Sequence, residues 1–256
     1  MKKTILLLGD ITGRSRVAVR MLTDALEALG HEVLALPTAL ISNTLSLGAH
    51  AQLDTTQYLL DSLDTWEKLG IAYDMMMIGY VTGLEQAKHL ARHADAARAK
   101  GIPVLLDPIL GDNGKRYNSV TADQEAGMRL LMEHADLITP NLTEAALLGG
   151  VSDAQTEDAQ DELLTALSAG KRSVLITSAK AQDGGDGIIG YDAVRGERFS
   201  IPVTRIPGSF GGTGDLFSAL LMDGLLAGRT LRDAAQEAAE AVRRELEGRT
   251  ERFVRI

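Results

Sequence analysis

The sequence contains no cysteine. This absence excludes disulfides, thiolate nucleophiles and cysteine-based metal sites together, and it fits a cytoplasmic location. Long apolar runs are also missing, since no uncharged stretch approaches the roughly 20 residues that span a bilayer. The apolar run 5–8 stops at Gly9 and Asp10 without a small-residue cleavage site, so it predicts a buried first strand rather than a signal peptide. We therefore expect no membrane contact.

Positive charge is sparse as well. Lysine and arginine number 26 against 35 acidic residues, and the formal net charge is −9. Because no Lys/Arg-rich run appears, we expect no nucleic-acid partner. Three common catalytic motifs are absent from the sequence: the Walker-type phosphate loop, the complete dinucleotide-binding glycine fingerprint and the Gly-x-Ser-x-Gly nucleophile elbow.

The composition that remains is that of a globular enzyme-sized domain. The chain has 256 residues, 45% of them hydrophobic and 24% charged, which predicts one folded domain over residues 1–256. Short β-rich runs alternate with longer helical patterns, so we expect crossover connections and a mostly parallel sheet. The runs 5–8, 75–78 and 104–106 are apolar at every residue, as expected when helices cover both faces of the sheet. The predicted fold class is a three-layer α/β/α domain.

The predicted elements follow from these patterns. We expect strands at 4–9, 32–37, 74–80, 102–107, 137–139, 173–177, 187–191 and 197–201. We expect helices at 17–29, 55–69, 84–100, 122–134, from 141 onward, before 170, at 216–226 and at 231–247, with a polar loop from 38 to about 50.

A glycine-rich stretch, Phe-Gly-Gly-Thr-Gly-Asp-Leu-Phe at 210–217, precedes the apolar run 216–226. It predicts a turn that leads into a helix, whose first N–H groups lack internal partners and can hold an anion. In the functional interpretation, the N–H groups of Gly212, Thr213 and Gly214 hold a phosphoryl group, and Asp215 takes the proton from the attacking hydroxyl. In the structural interpretation, Asp215 only interacts with the helix dipole and the glycines only allow close packing. These residues alone leave both open.

Several polar residues follow predicted strands, where ligands bind in open parallel sheets. We expect them to meet at one edge of the sheet: Asp10, Asn43, Thr44, Tyr80, Asp107, Asp112, Thr139, Asn141, Thr177 and Asp215.

Two acidic residues flank the short segment Asp107-Pro-Ile-Leu-Gly-Asp112. Carboxylates a short loop apart at a strand end suit Mg²⁺, although Asp-Pro is also ordinary loop punctuation. Asn113-Gly114 predicts a tight turn, and the polar loop through residue 119 could form a lid.

The segment Thr139-Pro-Asn141-Leu-Thr-Glu144 has a structural explanation. Asn141 as N-cap with Glu144 three residues later is close to a capping box. The functional alternative places both near a nucleotide-bound cation. Without other motifs, the cap is the favoured interpretation.

Taken together and in this order, these segments with Thr177-Ser178 and the Gly-Thr-Gly-Asp element ending at Asp215 resemble the ribokinase-type (PfkB-like) superfamily. Within it they resemble the pyridoxal (pyridoxamine) kinase group, and the resemblance runs nearly end to end. It implies a ribokinase-like fold and an ATP- and Mg²⁺-dependent kinase, with a site for a monovalent cation, usually K⁺ in this family. The kinase would phosphorylate the 5′-hydroxymethyl group of a B₆ vitamer and act as a homodimer.

The resemblance also implies residue roles. Asp215 would be the general base, with Gly212, Thr213 and Gly214 as the anion hole. Mg²⁺ and a monovalent cation would be held by Asp112, Glu144, Asp107 and Thr139. ATP would be contacted by Asn141, Thr177 and Ser178 at its phosphates, by Phe210 at adenine and by Tyr117 as a cover. The vitamin pocket would be lined by Asp10, Asn43, Thr44 and Tyr80.

One departure keeps the substrate open. Pyridoxal kinases commonly carry Ser-x-His-Thr-Gly after the second strand, whereas Ser42-Asn43-Thr44-Leu45-Ser46 has no histidine. A hydroxymethylpyrimidine kinase is the enzyme alternative, although such enzymes typically use a reactive cysteine and this chain has none. A B₆-binding protein with little activity is the non-enzymatic alternative.

Overall fold

A computed structural model describes residues 1–47, 49–151, 154, 156–181, 184–204, 206 and 211–254. The strands are β1 (Thr4–Thr12), β2 (Glu32–Ile41), β3 (Gln52–Asp54), β4 (Met75–Ile78), β5 (Val104–Leu106), β6 (Gly111–Asp112), β7 (Lys115–Arg116), β8 (Leu137–Ile138), β9 (Ser173–Lys180), β10 (Asp186–Asp192) and β11 (Glu197–Pro202). The helices are α1 (Val19–Ala28), α2 (Thr56–Lys68), α3 (Leu84–Ala99), α4 (Ala122–Met132), α5 (Leu142–Gly149), α6 (Glu157–Ser168), α7 (Thr213–Leu226) and α8 (Leu231–Val254), with a 3₁₀ turn at Leu45–Leu47.

Within the described residues, nine strands form one sheet in the order β11-β10-β9-β8-β5-β4-β1-β2-β3. The six strands from β9 to β2 in this order run parallel, while β3 and the β10–β11 hairpin pair antiparallel. The mostly parallel sheet predicted from the sequence is confirmed. The chain leaves β1 toward β2 on one side and later returns to β4 on the other, which makes the crevice between β1 and β4 the topological switch point.

Helices cover both faces of this sheet, which confirms the three layers. Helices α2 to α6 pack on one face, and α1, α7 and α8 pack on the other. Strand β1 serves both cores because alternate residues point to opposite faces. Leu6 and Leu8 lie in the first cluster, and Ile5 and Leu7 lie in the second. This is why residues 5–8 of the strand are apolar at every position.

The strands β1 and β2 are longer than predicted. The sequence predicted ends at residues 9 and 37, but the strands continue to Thr12 and Ile41. A register shift between Gly9 and Asp10 lets the extension of β1 pair with residues 39–41. The predicted loop 38–50 was therefore wrong in its first part, because Pro37 does not end the pairing. The edge strand β3 was missed, since its three residues are exposed and show no alternation.

The turn at Asn113-Gly114 is confirmed. Both residues have positive φ angles, 52° and 75°, as a two-residue hairpin turn requires. It joins β6 to β7, which are only two residues long and left no periodic signal in the sequence.

Helix α7 begins at Thr213, three residues earlier than predicted, and Asp215 lies in its first turn as expected. Gly212 is the N-cap residue, with a φ of 83° in the left-handed region. Phe210 falls outside the described residues. Among the described helices, none combines the length and apolar character needed to cross a bilayer.

The sheet–helix core makes a stability prediction. Leu90 of α3 is fully buried in the first cluster, whereas Leu69 at the end of α2 is 69% exposed. Leu90→Ala should lower the free energy of unfolding by about 2–5 kcal/mol, because it removes buried methyl groups and leaves a cavity. Leu69→Ala should cost less than about 1 kcal/mol. Denaturant titration measures both, and equal losses in the two variants would contradict the core assignment.

Candidate active site

A recess opens at the switch point between β1 and β4. Four of the predicted site residues line it: Asp10, Tyr80, Asp107 and Asp215. Its apolar wall includes Met77 and Ile109 from the sheet side and Val19 and Leu22 from α1. Residues of β1, β4 and α7 and the segment after β5 thus meet at the carboxyl ends of the strands, where the parallel topology predicted them. We refer to it below as the β1–β4 recess.

Asp215 reaches the recess from the first turn of α7. Its Oδ2 accepts a hydrogen bond from the Ala18 N–H at 2.8 Å. Ala18 is the N-cap of α1 and has a φ of 52°, a backbone conformation that residues other than glycine seldom adopt. Burial raises the pKa of Asp215, against the opposing effect of the Ala18 hydrogen bond. A raised pKa makes a carboxylate a better proton acceptor.

The start of α7 is tightly packed on one side and open on the other. A Cβ at Gly212 would lie 3.2 Å from the Arg16 carbonyl oxygen and 3.2 Å from the Met21 Cε. A Cβ at Gly214 would meet no atom within 4 Å. The first-turn N–H groups of a helix have no intrahelical acceptor, so this open side is where an anion can approach them.

Asp107 follows β5 and faces the same recess. Its Oδ2 accepts a hydrogen bond from the Ser218 hydroxyl at 2.9 Å. Burial, opposed by the Ser218 hydrogen bond and assisted by the charge of Asp215, raises the pKa of Asp107 to about 7. The Thr139 hydroxyl is close enough to Asp107 to lower its pKa. However, Thr139 Oγ1 forms no hydrogen bond of normal geometry with any described residue. Thr139 Oγ1 is therefore a buried polar atom available to a cation.

Glu144 is 4% exposed and completes the capping box of α5, which confirms the structural interpretation. Its oxygens accept hydrogen bonds from the Leu110 N–H at 3.1 Å and the Asn141 N–H at 3.0 Å. Burial and the charge of Asp107 raise the pKa of Glu144 well above its usual value. The Asn141 amide also donates to the Gly111 carbonyl at 2.9 Å, so the cap fixes the start of the β6–β7 hairpin.

Asp112 lies on the exposed part of this hairpin. Its two oxygens accept hydrogen bonds from the backbone and side-chain nitrogens of Asn113, at 2.8 and 2.9 Å. Tyr117 follows the hairpin and packs against the first core cluster. Burial and the charges of Glu144, Asp112 and Asp215 raise the pKa of Tyr117 above its usual range. The Tyr117 hydroxyl therefore lies within electrostatic range of three predicted metal and catalytic carboxylates.

These acids have no basic partner in the described chain. None of its ion pairs involves Asp10, Asp107, Glu144 or Asp215. No three acidic or histidine side chains of the described residues converge closely enough to hold a metal by themselves. Mg²⁺ often binds through one or two carboxylates, with phosphate oxygens and waters as its other ligands. The donor set therefore fits a Mg²⁺ ion that arrives with a nucleotide.

Tyr80 is 2% exposed and its hydroxyl is held from two sides. Gln124 of α4 donates to it at 2.5 Å, and it donates to Gln52 of β3 at 2.8 Å. Burial raises the pKa of Tyr80, against the opposing effect of the Gln124 hydrogen bond. The ring is therefore a fixed wall of the recess.

Twelve of the predicted residues that the structure describes are not among those that line the recess: Asn43, Thr44, Asp112, Tyr117, Thr139, Asn141, Glu144, Thr177, Ser178, Gly212, Thr213 and Gly214. The Asn43 amide donates to the carbonyls of Thr44 and Ala49 within its own loop. Thr177 and Ser178 belong to β9, which runs three residues past its predicted end, and Thr177 forms a bridge with Asn141. Asp10, predicted to follow a strand, lies inside β1 because of the register shift at Gly9.

Ser218, Gln124 and Gln52 were missed. Ser218 lies three residues after Asp215 and so on the same face of α7, a helical spacing that could have indicated it. Gln124 is the N3 residue of the α4 capping box, which already accounts for a glutamine there. Its second role at Tyr80 depends on contacts between distant segments.

The raised pKa of Asp107 predicts a pH-dependent stability. Because its folded-state pKa is about 7 rather than 3.8, the folded protein binds more protons in that window and loses stability as the pH rises through it. Asp107→Asn removes this charge and retains an acceptor for Ser218. With cations removed by EDTA, the Asp107→Asn variant should have a free energy of unfolding higher than that of wild type by on the order of 2 kcal/mol at pH 8. This difference should disappear near pH 4, where Asp107 is protonated in the folded wild-type protein.

The control is Asp64→Asn on the exposed face of α2, which should change stability little at either pH. Denaturant titrations at both pH values make the comparison. Destabilisation by Asp107→Asn at pH 8 would show that the buried charge carries no cost.

Comparison with known proteins agrees with this geometry. A family model described as phosphomethylpyrimidine kinase matches residues 24–253. The pyridoxine/pyridoxal/pyridoxamine kinase of Bordetella avium is 31% identical over 222 residues, covering 84% of this chain and 75% of that protein.

Two solved structures are similar over almost the whole chain. Pyridoxal kinase from Lactobacillus plantarum is 27% identical with a TM-score of 0.82, covering 98% of this chain and 90% of that one. A Bacteroides thetaiotaomicron protein crystallised with pyridoxal is 28% identical with a TM-score of 0.85, covering 94% of this chain and 86% of that one. The chain therefore belongs to the phosphomethylpyrimidine kinase family, and within its ribokinase-type fold to the pyridoxal kinase group.

Proposed function

We propose that this enzyme transfers the γ-phosphoryl group of ATP to the 5′-hydroxymethyl group of a B₆ vitamer, giving the 5′-phosphate and ADP. The observation that carries the proposal is the meeting of Asp215, at the first turn of α7, with Asp10 and Tyr80 in the β1–β4 recess. The kinase names of the relatives support the reaction, and the pyridoxal in the Bacteroides crystal supports the substrate class.

In this mechanism Asp215 accepts the proton of the 5′-hydroxyl as that oxygen attacks phosphorus. Phosphoryl transfer passes through a loose transition state in most descriptions, so the proton moves late and a carboxylate is a sufficient base. The Ala18 N–H holds one oxygen of Asp215, which leaves the other oxygen for the substrate. Gly212, Thr213 and Gly214 would present their N–H groups to the transferred phosphoryl group.

Asp107, Asp112, Glu144 and Thr139 would hold Mg²⁺, directly or through water, together with a monovalent cation such as K⁺. When bound, these cations neutralise phosphate charge and lower the cost of burying the acids around them. Asn141, Thr177 and Ser178 would lie along the ATP phosphates, with Phe210 at adenine. Asn43 and Thr44, in the loop after β2, would complete the vitamin pocket.

Tyr117 and the β6–β7 hairpin would cover the nucleotide. Covering matters because water is the competing acceptor of the phosphoryl group, and a lid that excludes it suppresses ATP hydrolysis. We further propose that the enzyme acts as a cytoplasmic homodimer.

Hydroxymethylpyrimidine phosphorylation is the second candidate, because the matching family model carries a phosphomethylpyrimidine kinase description. Measuring ADP release with pyridoxal, pyridoxamine, pyridoxine and hydroxymethylpyrimidine in parallel separates the two reactions. Binding of a B₆ vitamer without ADP release would instead indicate a binding protein on the same fold.

Asp215→Asn tests the base directly. Turnover of pyridoxal should fall by about 10²- to 10⁴-fold, because proton transfer to a positioned base is lost. The affinity for ATP, measured by calorimetry, should change little. The control variant Asp64→Asn makes the same substitution at an exposed position of α2, and it should keep full turnover. Turnover within about threefold of wild type in Asp215→Asn would remove Asp215 from the role of base.

Asp112→Asn tests the metal assignment. The Mg²⁺ concentration at half-maximal activity should rise by about tenfold or more, since one carboxylate around the ion is lost. Asn113→Ala removes the side-chain amide that Asp112 accepts from and keeps the carboxylate, so its Mg²⁺ titration should remain near wild type. An unaltered titration in Asp112→Asn would exclude Asp112 from the metal site.

A further inference from the structure

Gln124 is a buried side chain whose hydrogen bonds join the recess to the start of α4. It is 5% exposed. Its amide nitrogen donates to the Tyr80 hydroxyl at 2.5 Å and to the Val81 carbonyl at 3.1 Å. Its amide oxygen accepts from the Thr121 N–H at 2.9 Å. Because a backbone N–H only donates, the amide oxygen must face Thr121, and the nitrogen must face Tyr80.

Tyr80 is the point at which these contacts reach the recess. Its hydroxyl accepts from Gln124 of α4 and donates to Gln52 of β3 at 2.8 Å, so two elements hold the same atom. The backbone of Tyr80 is held as well, since the Thr38 hydroxyl donates to its carbonyl at 2.6 Å. A ring fixed at both ends keeps one position, and a substrate that lies against it takes its orientation from that position.

The position of this ring matters for the reaction because Tyr80 and Asp215 line the same recess. A shift of the bound substrate by about 1 Å costs an enzyme on the order of 10²-fold in rate. Gln124 itself is not among the residues that line the recess, so its effect on a ligand there must pass through Tyr80.

We propose that Gln124 is a positioning residue, which holds the Tyr80 ring where a B₆ vitamer binds with its hydroxymethyl group toward Asp215. This inference rests on the proposed function, because it takes the vitamer to lie against Tyr80. Gln52 supports the same hydroxyl from β3. Its contribution should be smaller, since Gln52 is exposed and water can replace its hydrogen bond.

A double-mutant cycle with Gln124→Met and Tyr80→Phe tests this role. Methionine keeps the length of the side chain without its hydrogen bonds, and phenylalanine lacks the hydroxyl through which Gln124 acts. Calorimetry without ATP measures the dissociation constant of pyridoxal. Gln124→Met should raise it by roughly 3- to 10-fold, the value of one to two hydrogen bonds. In the Tyr80→Phe background the same substitution should change it by less than about twofold.

The affinity for a non-hydrolysable ATP analogue distinguishes positioning from a general effect on the fold. Gln124→Met should bind this analogue within about twofold of wild type. Gln236→Met makes the same substitution at an exposed position of α8, and it should bind both ligands as wild type does.

Two results would overturn the proposal. Equal losses of pyridoxal affinity with Tyr80 and with phenylalanine at this position would show that Gln124 acts only through the cap of α4. Equal losses of affinity for pyridoxal and for the ATP analogue would show a general effect on the fold.

Gln124→Glu is the second variant if Gln124→Met folds poorly. It retains the acceptor for the Thr121 N–H, so α4 keeps its cap, but it lacks the nitrogen that donates to Tyr80. It should also weaken pyridoxal binding, and unchanged affinity in this variant would contradict the proposal.

The binding measurement separates this proposal from the proposed function. Wild-type protein that binds pyridoxal with the expected dependence on Gln124 and Tyr80 but releases no ADP would support the positioning role and contradict the kinase assignment. A Gln124→Met variant that releases ADP with the rate and pyridoxal affinity of wild type would support the kinase assignment and contradict the positioning role.

Discussion

The structure depends on one electrostatic constraint: two buried carboxylates, Asp10 and Glu144, and two half-buried ones, Asp107 and Asp215, have no basic side chain paired with them among the described residues. Asp10, Asp107, Glu144 and Asp215 all have raised pKa values, and burial is the main cause in each. Such a group of acids costs folding free energy when it is ionised. Functional sites contain such groups of acids because cations that bind with the substrates offset this loss of folding free energy. Enzymes that transfer phosphoryl groups bind such cations together with the nucleotide.

Topology explains why the acids meet. The switch point between β1 and β4 leaves a crevice at the carboxyl ends of the parallel strands. The N-terminus of α7 lies beside this crevice, with Asp215 in the first turn of the helix. The same helix start that favours an anion also carries Asp215, so the proposed phosphate-binding and proton-accepting groups are fixed relative to each other. The Ala18 N–H and the Ser218 hydroxyl then position Asp215 and Asp107.

The sequence predicted the parts of this arrangement that depend on local patterns. The runs 5–8 and 75–78 are apolar throughout because both faces are covered, and the glycines before Asp215 allow the left-handed N-cap at Gly212. The Asn141–Glu144 capping box was also readable, because its partners lie three residues apart. Each of these signals is contained in a single stretch of chain.

What the sequence could not predict involves contacts between distant segments. The extension of β1 and β2 depends on a register shift, and it moves Asp10 from a loop into a strand. The hydrogen bonds of Tyr80 join β3 to α4, 72 residues apart between Gln52 and Gln124. Neither the exposed strand β3 nor the second role of Gln124 leaves a periodic pattern, so tertiary packing alone determines them.

The central claim is that the hydroxymethyl group of a B₆ vitamer reaches Asp215 in the β1–β4 recess. A crystal structure with pyridoxal, Mg²⁺ and a non-hydrolysable ATP analogue tests it most directly. The account predicts the 5′-oxygen within about 3 Å of an Asp215 carboxylate oxygen, on the side facing the γ-phosphate. Pyridoxal bound with its 5′-oxygen directed away from Asp215, or bound outside the recess, would contradict the account.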